Sequence, residues 1–234
     1  MTETVIRISG LTAGYGSGDI LQGVDLEVNR GDVVGVLGRN GVGKTTLMRT
    51  VMGLTVSRAG SVEHNGQDVT MMDAEDRATR GFGYVPQGRL VFPHMSVEDN
   101  LRIGALERGR NWRRIDDMYQ RFPRLKERRR QRAGTLSGGE QEMLVIARAL
   151  VGEPDIVLLD EPSEGVQPNI VKDIGMLIRE LNDTGITILL VEQNVELMQA
   201  AARVGYVMEK GRITQTLSED EMHDGERLRH VLSL

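Results

Sequence analysis

The 234-residue chain contains no cysteine. That excludes disulfides, thiolate metal sites and a thiol nucleophile, and it is compatible with a reducing compartment. Aromatic residues make up only 3%, so a ring placed in a glycine turn is better explained by a ligand than by a core. The histidines, His64, His94, His223 and His230, are scattered without ligand spacing and read as surface or half-buried residues. No run approaches the roughly 20 apolar residues of a membrane helix. The start, MTETVIRISG, lacks the apolar stretch of a signal peptide. Action at a membrane would therefore need other chains to span it. A net charge of −5 argues against a protein that coats nucleic acid. With 39% hydrophobic and 27% charged residues, the chain reads as one soluble globular domain large enough for a real core.

What is present alternates between strand and helix. Val5–Ser9 and Val24–Val28 alternate apolar and polar residues and read as half-exposed strands around a GYGSGD turn. VVGVL (33–37) is continuously apolar, as a strand covered on both faces should be, and Thr45–Met52 then reads as a helix. A short hairpin is expected around NGQ (65–67), and a brief strand at Gly83–Val85. From Gly88 to Leu150 the character is helical, with Ser96 as an N-cap. DIVLLDEP and GITILLVEQ are two more buried strands separated by a helix near Pro168–Leu181, and a hairpin around Lys210-Gly211 closes the chain. This pattern predicts an α/β fold: a mostly parallel sheet flanked by helices, with an antiparallel β subdomain (together about 1–87 and 151–234) and an inserted helical subdomain (about 88–150). The end of the chain soon after the last hairpin leaves no expectation of a C-terminal regulatory domain.

GRNGVGKT fits G-x-x-x-x-G-K-[ST] at Gly38, Gly43, Lys44 and Thr45. Given this composition, the pattern is expected by chance only ~0.006 times. Glycines let backbone N–H groups face phosphates, Lys44 reaches the terminal phosphates, and the Thr45 hydroxyl can ligate Mg²⁺. Arg39, Asn40, Gly41 and Thr46 complete the cradle. Lysine stands here although arginine outnumbers it 25 to 4 in the chain, because a compact ammonium fits a closed loop better than a planar guanidinium.

IVLLDEP carries Asp160 and Glu161 at the carboxyl end of a buried strand, where ligands sit in such sheets. A carboxylate there needs a cation, so Asp160 is read as the metal-side group, and Glu161 as the residue that holds or deprotonates the attacking water. Glu192-Gln193 should lie beside them, with Gln193 able to touch a γ-phosphate or that water. LSGGE places Ser137, Gly138, Gly139 and Glu140 at the mouth of a helix. A helix dipole contributes only ~0.3–2 kcal/mol, too little for an independent ATP site but enough to complete one built by another surface. Two copies related by two-fold symmetry would then enclose two ATP molecules.

In this order, the phosphate loop, YVPQGR, LSGGE and VLLDEP resemble the ATPase subunit of ABC transporters over essentially the whole chain. The resemblance implies a P-loop NTPase core and a head-to-tail dimer with a second, same or related ATPase chain. It further implies docking on transmembrane permease subunits at the inner face of the cell membrane, and a solute-binding protein engaged indirectly. It also implies that Tyr15 stacks on adenine, that Gln87 contacts Mg²⁺ and senses the γ-phosphate, and that Gly165–Gln167 meets the partner chain. Glu140 stands where the family usually has Gln, and Gln193 where it usually has His; both are similar to the importer branch for branched-chain amino acids and amides. RNGVGKTT, VPQGRLVFP and DEPSEGVQP look more like a urea transporter, LSGGEQ and VEQN more like a branched-chain amino acid transporter. GRLVFPHMSVEDN is the expected docking surface. The basic run RLKERRRQR (124–132) reads as a solvated helix face. A GTPase is disfavoured by the absence of N-K-x-D, and a soluble ABC-type ATPase acting on nucleic acid or ribosomes is the alternative reading.

Overall fold

The structure, a computed structural model, describes residues 3–106 and 113–233. β1 (Thr4–Tyr15) and β2 (Gly18–Asn29) form a long antiparallel hairpin. Alternation is clean only over parts of it, because register shifts such as that between Ile8 and Leu11 interrupt the two-residue period. β4 (Ser57–His64) pairs with β1, and β5 (Gln67–Asp68) pairs with β4, giving a sheet ordered β2-β1-β4-β5.

The second sheet contains β3 (Val33–Leu37), β6 (Phe82–Val85), β7 (Ile156–Asp160), β8 (Thr187–Glu192), β9 (Val204–Glu209) and β10 (Arg212–Leu217). Its order is β10-β9-β3-β8-β7-β6; only β10 runs antiparallel to its neighbour. Every residue of β3, β7 and β8 is buried, as their apolar runs require.

Helices fill the remaining layers. α1 (Lys44–Val51) lies between the two sheets, where Leu47, Met48 and Val51 share one core with Val34 and Val36 of β3 and with the β1–β2 hairpin. Val33 and Leu37, the alternate residues of β3, face a second core. That core includes residues of α3 (Val97–Gly104), α4 (Arg113–Arg121), α5 (Pro123–Glu127), α6 (Gly138–Leu150) and α7 (Pro168–Asp183). It also takes in residues of α8 (Val195–Ala201), α9 (Glu219–His223) and α10 (Gly225–Ser233). Part of the helical stretch expected over 88–150, residues 107–112, lies outside the described residues.

α2 (Ala74–Thr79) holds the far end of α1. The guanidinium of Arg77 is 1% exposed and donates to the carbonyls of Thr50, Val51, Thr70 and Met72. It thereby satisfies carbonyls that the end of α1 leaves without an intrahelical partner. No helix among the described residues is long and apolar enough to cross a membrane.

Candidate functional site

β3 delivers the chain to Gly38, whose N–H donates to the carbonyl of Glu192 on β8 at 3.3 Å. The loop then turns through left-handed backbone at Gly41 (φ 80°) and Gly43 (φ 114°). At Gly38 the constraint is space, since a Cβ would stand 2.7 Å from both the Met208 carbonyl and Val42. Gly43 is the N-cap of α1 and provides no side-chain cap. The first-turn N–H groups therefore face the loop interior as an anion seat.

Lys44 is only 3% exposed. Its Nζ donates to the carbonyls of Gly38 (2.7 Å) and Arg39 (2.9 Å) and pairs with Glu161 Oε1 at 2.9 Å. All three ammonium protons are thus engaged. Thr46 is buried on α1. Arg39 and Asn40 share a cavity of about 370 Å³ with Gln193 and Leu232. Tyr15 is 50% exposed at the end of β1. Burial works to raise the pKa of its phenol, but Thr55, Thr46 and Arg49 beside the hydroxyl bring it below the ordinary value.

The carboxyl end of β7 meets the same loop. Asp160, 1% exposed, accepts hydrogen bonds from the Thr45 hydroxyl at 3.1 Å and the Tyr84 hydroxyl at 3.2 Å. The Thr45 hydroxyl also lies 3.4 Å from Gln87 Oε1. Burial pushes the Asp160 carboxyl up to about 6, opposed by those hydrogen bonds. Three oxygens of different kinds, hydroxyl, amide and carboxylate, therefore converge on a place where a dication would offset the cost of the buried charge. This donor set fits Mg²⁺, which takes few protein oxygens and fills its octahedron with phosphate and water. Among the described residues, no cluster of three His, Cys, Asp or Glu could hold a metal ion.

Glu161 is one of five described non-glycine residues with left-handed backbone (φ 48°). Such a conformation costs about 1–2 kcal/mol and persists where the surroundings impose it. Here the Glu161 N–H donates to the Val191 carbonyl, and the side chain bridges Lys44 and Gln87 Nε2 (3.2 Å). Gln87 Nε2 also donates to Glu164 Oε2 at 2.9 Å.

Glu192 is the site residue that sequence reasoning passed over in favour of Gln193. It is 1% exposed, and its carboxylate accepts three backbone N–H groups: Ser163 at 2.9 Å, Gln193 at 2.8 Å and Asn194 at 2.9 Å. It ties the segment after β7 to the segment after β8. A charged residue ending an otherwise apolar strand was the available signal. Gln193 itself is exposed at the cavity rim.

Ser137 to Glu140 form a second, separate corner. Ser137 and Glu140 close a capping box at the start of α6, and Glu140 Oε1 pairs with Arg128 at 2.7 Å. Burial tends to raise the Glu140 carboxyl, but Ser137 and Arg128 hold it below the usual range. Both glycines have reasons within the chain. A Cβ at Gly138 would meet the Arg89 guanidinium at 2.5 Å, and one at Gly139 would meet Ile170 at 2.9 Å. The basic run is not the simple solvated helix face expected, because α5 ends at Glu127 and Arg128 turns back onto Glu140.

A glycine loop with an uncapped helix, a buried lysine and a hydroxyl–carboxylate pair beside it defines a P-loop nucleotide hydrolase. The family model described as ABC transporter matches residues 21–164, and the chain belongs to that family as an ATP-binding, ATP-hydrolysing subunit. The chain is 40% identical to the high-affinity branched-chain amino acid transport ATP-binding protein BraG of Pseudomonas aeruginosa. That match covers 90% of this chain and 88% of the relative. It is 35% identical to the probable branched-chain amino acid transport ATP-binding protein LivF of Archaeoglobus fulgidus, over 95% and 96% of the two chains. A solved ATP-binding cassette of an ABC transporter in its ADP conformation is similar at a TM-score of 0.84 with 28% identity, covering 99% of this chain and 96% of that one.

Proposed function

We propose that this subunit drives an importer for branched-chain amino acids or a small amide such as urea. The two named relatives support the amino-acid branch. The observation that carries the mechanism is the convergence of Lys44, Thr45, Gln87, Asp160 and Glu161 at one end of the sheet. ATP phosphates lie along the loop backbone from Gly38 to Thr46, with Arg39 and Asn40 on the rim and Tyr15 against the adenine. Lys44 exchanges Glu161 for the terminal phosphates. Thr45, Asp160 and Gln87 would hold Mg²⁺, which would supply neutralisation of the phosphate charge. Glu161, released from Lys44, accepts the proton of the attacking water, and Gln193 approaches the same water from its cavity.

The Ser137–Glu140 corner completes the nucleotide seat of a second ATPase chain, same or related, in a head-to-tail pair, with Gly165–Gln167 at the contact. The region about 88–150 relays the motion to transmembrane permease subunits. A cavity of about 260 Å³ lined by Met52, Phe82, Tyr84, Phe92 and Arg148, with exposed Leu90 beside it, supports docking there. The subunit works at the cytoplasmic face of the membrane and meets a solute-binding protein only through the permease. Co-purification tests the reading: permease subunits, leucine- or urea-stimulated ATPase activity in the reconstituted complex, and an ATP-induced pair of ATPase chains are expected. Recovery with ribosomes or RNA instead would overturn it.

A further inference from the structure

Gln87 and Arg89 leave the end of β6 on the same turn, and both reach the loop that follows Glu161. Gln87 holds the Glu164 side chain, while an Arg89 guanidinium nitrogen donates to the Glu164 carbonyl at 2.6 Å. The same guanidinium lies over two glycines. Its two terminal nitrogens would stand 2.5 Å from a Cβ on Gly138 and 3.0 Å from one on Gly165. Gly138 does not have positive φ, so its missing side chain serves as room for the arginine. The turn is shaped to aim this side chain, through left-handed backbone at Gly88 (φ 93°) and at Arg89 itself (φ 53°). Arg89 is also a cation facing the buried carboxyl of Glu142 on α6.

We infer that Arg89 is a positioning residue that joins three segments of one chain: the Gln87 turn, the Ser137–Glu140 corner and the Glu164–Gly165 loop. The inference rests on the paired-chain reading above and deepens it. Gln87 reports on the chain's own nucleotide, whereas the Ser137–Glu140 corner is offered to the partner's nucleotide. A rigid arginine bridge between them makes the geometry of one site depend on the occupancy of the other. A guanidinium is suited to this because its planar fork spans the Glu164 carbonyl and both glycines at once, and a lysine ammonium does not.

The test uses the assembled transporter, with steady-state ATP hydrolysis measured over a range of ATP concentrations for the parent, R89A and R89K. Nucleotide affinity of each isolated chain is measured with ADP. Both variants are expected to bind ADP within about twofold of the parent, because Arg89 lies outside the phosphate loop. They are expected to lose about tenfold or more in kcat, the scale of one charge-assisted hydrogen bond, and to show a Hill coefficient near 1. R89K keeps the charge, so it carries the test if R89A fails to fold. Parent-like kcat and Hill coefficient in R89K would overturn the inference. So would a loss confined to ADP affinity. A parent with a Hill coefficient of 1 and no ATP-induced pairing would instead overturn the paired-chain reading, and the coupling role of Arg89 with it.

Discussion

Replacing Glu161 by glutamine should abolish turnover and yet tighten nucleotide binding. In the structure the carboxylate occupies one of the three protons of the Lys44 ammonium at 2.9 Å, within a nearly dry pocket. Phosphate must displace it to gain that donor. A charge-assisted bond of this kind contributes about 1.5–3 kcal/mol, and a bond to a neutral amide about half as much. The difference of roughly 0.8–1.5 kcal/mol, returned to the ligand, corresponds to roughly 4–13-fold higher affinity. Calorimetric titration of the isolated chain with ADP in the absence of Mg²⁺ isolates this effect from hydrolysis and pairing. The nucleotide-free variant should unfold at lower urea, because Lys44 loses its counter-ion. Unchanged or weaker ADP affinity in the glutamine variant would show that the Lys44–Glu161 pair is not what the phosphates displace.

Three other perturbations follow from the same geometry. Lys44→Ala should weaken ADP binding by roughly 10–150-fold, from the same bond energies; calorimetry at parent-like affinity would discredit the loop. Glu192→Gln places an amide nitrogen against backbone N–H donors, so urea unfolding should show a loss of about 1–3 kcal/mol together with reduced ATP hydrolysis; an unchanged midpoint would contradict the three-donor arrangement. Glu142, 3% exposed, has its carboxyl pushed from 4.5 up to about 8 by burial, with Arg89 opposing and Glu192 adding to the rise. The folded state then holds a proton that the unfolded state releases above about 4.5. Its stabilising effect is complete below that pH and is lost as pH rises towards 8, at up to roughly 1.4 kcal/mol per pH unit. Glu142→Gln should flatten that slope in unfolding curves taken between pH 5 and 8, and identical slopes would refute the assignment.

The buried strands were legible because a sheet covered on both faces demands unbroken apolar runs, and VVGVL and IVLLD supply them. The phosphate loop was legible because its glycine spacing has few other uses. The short helices α2 and α8 were not, since six or seven residues give too little periodicity. Arg77 looks like any surface arginine until α2 turns it under the end of α1. The glycine pair at 138–139 was read as an invitation to phosphate alone; only the fold shows Arg89 and Ile170 lying against it. Glu192 escaped because three N–H donors from two distant loops converge on it only after folding.

The strand order has its own consequence. β8 lies between β3 and β7, so the strand bearing the lysine loop and the strand bearing the acids stand two inter-strand steps apart, about 10 Å. β8 acts as a spacer that gauges this gap, which the loop closes twice, through Lys44 onto Glu161 and through Thr45 onto Asp160. A slip of β8 by one residue would turn Glu192 away from the loops it fastens and leave both halves of the gap without their common brace.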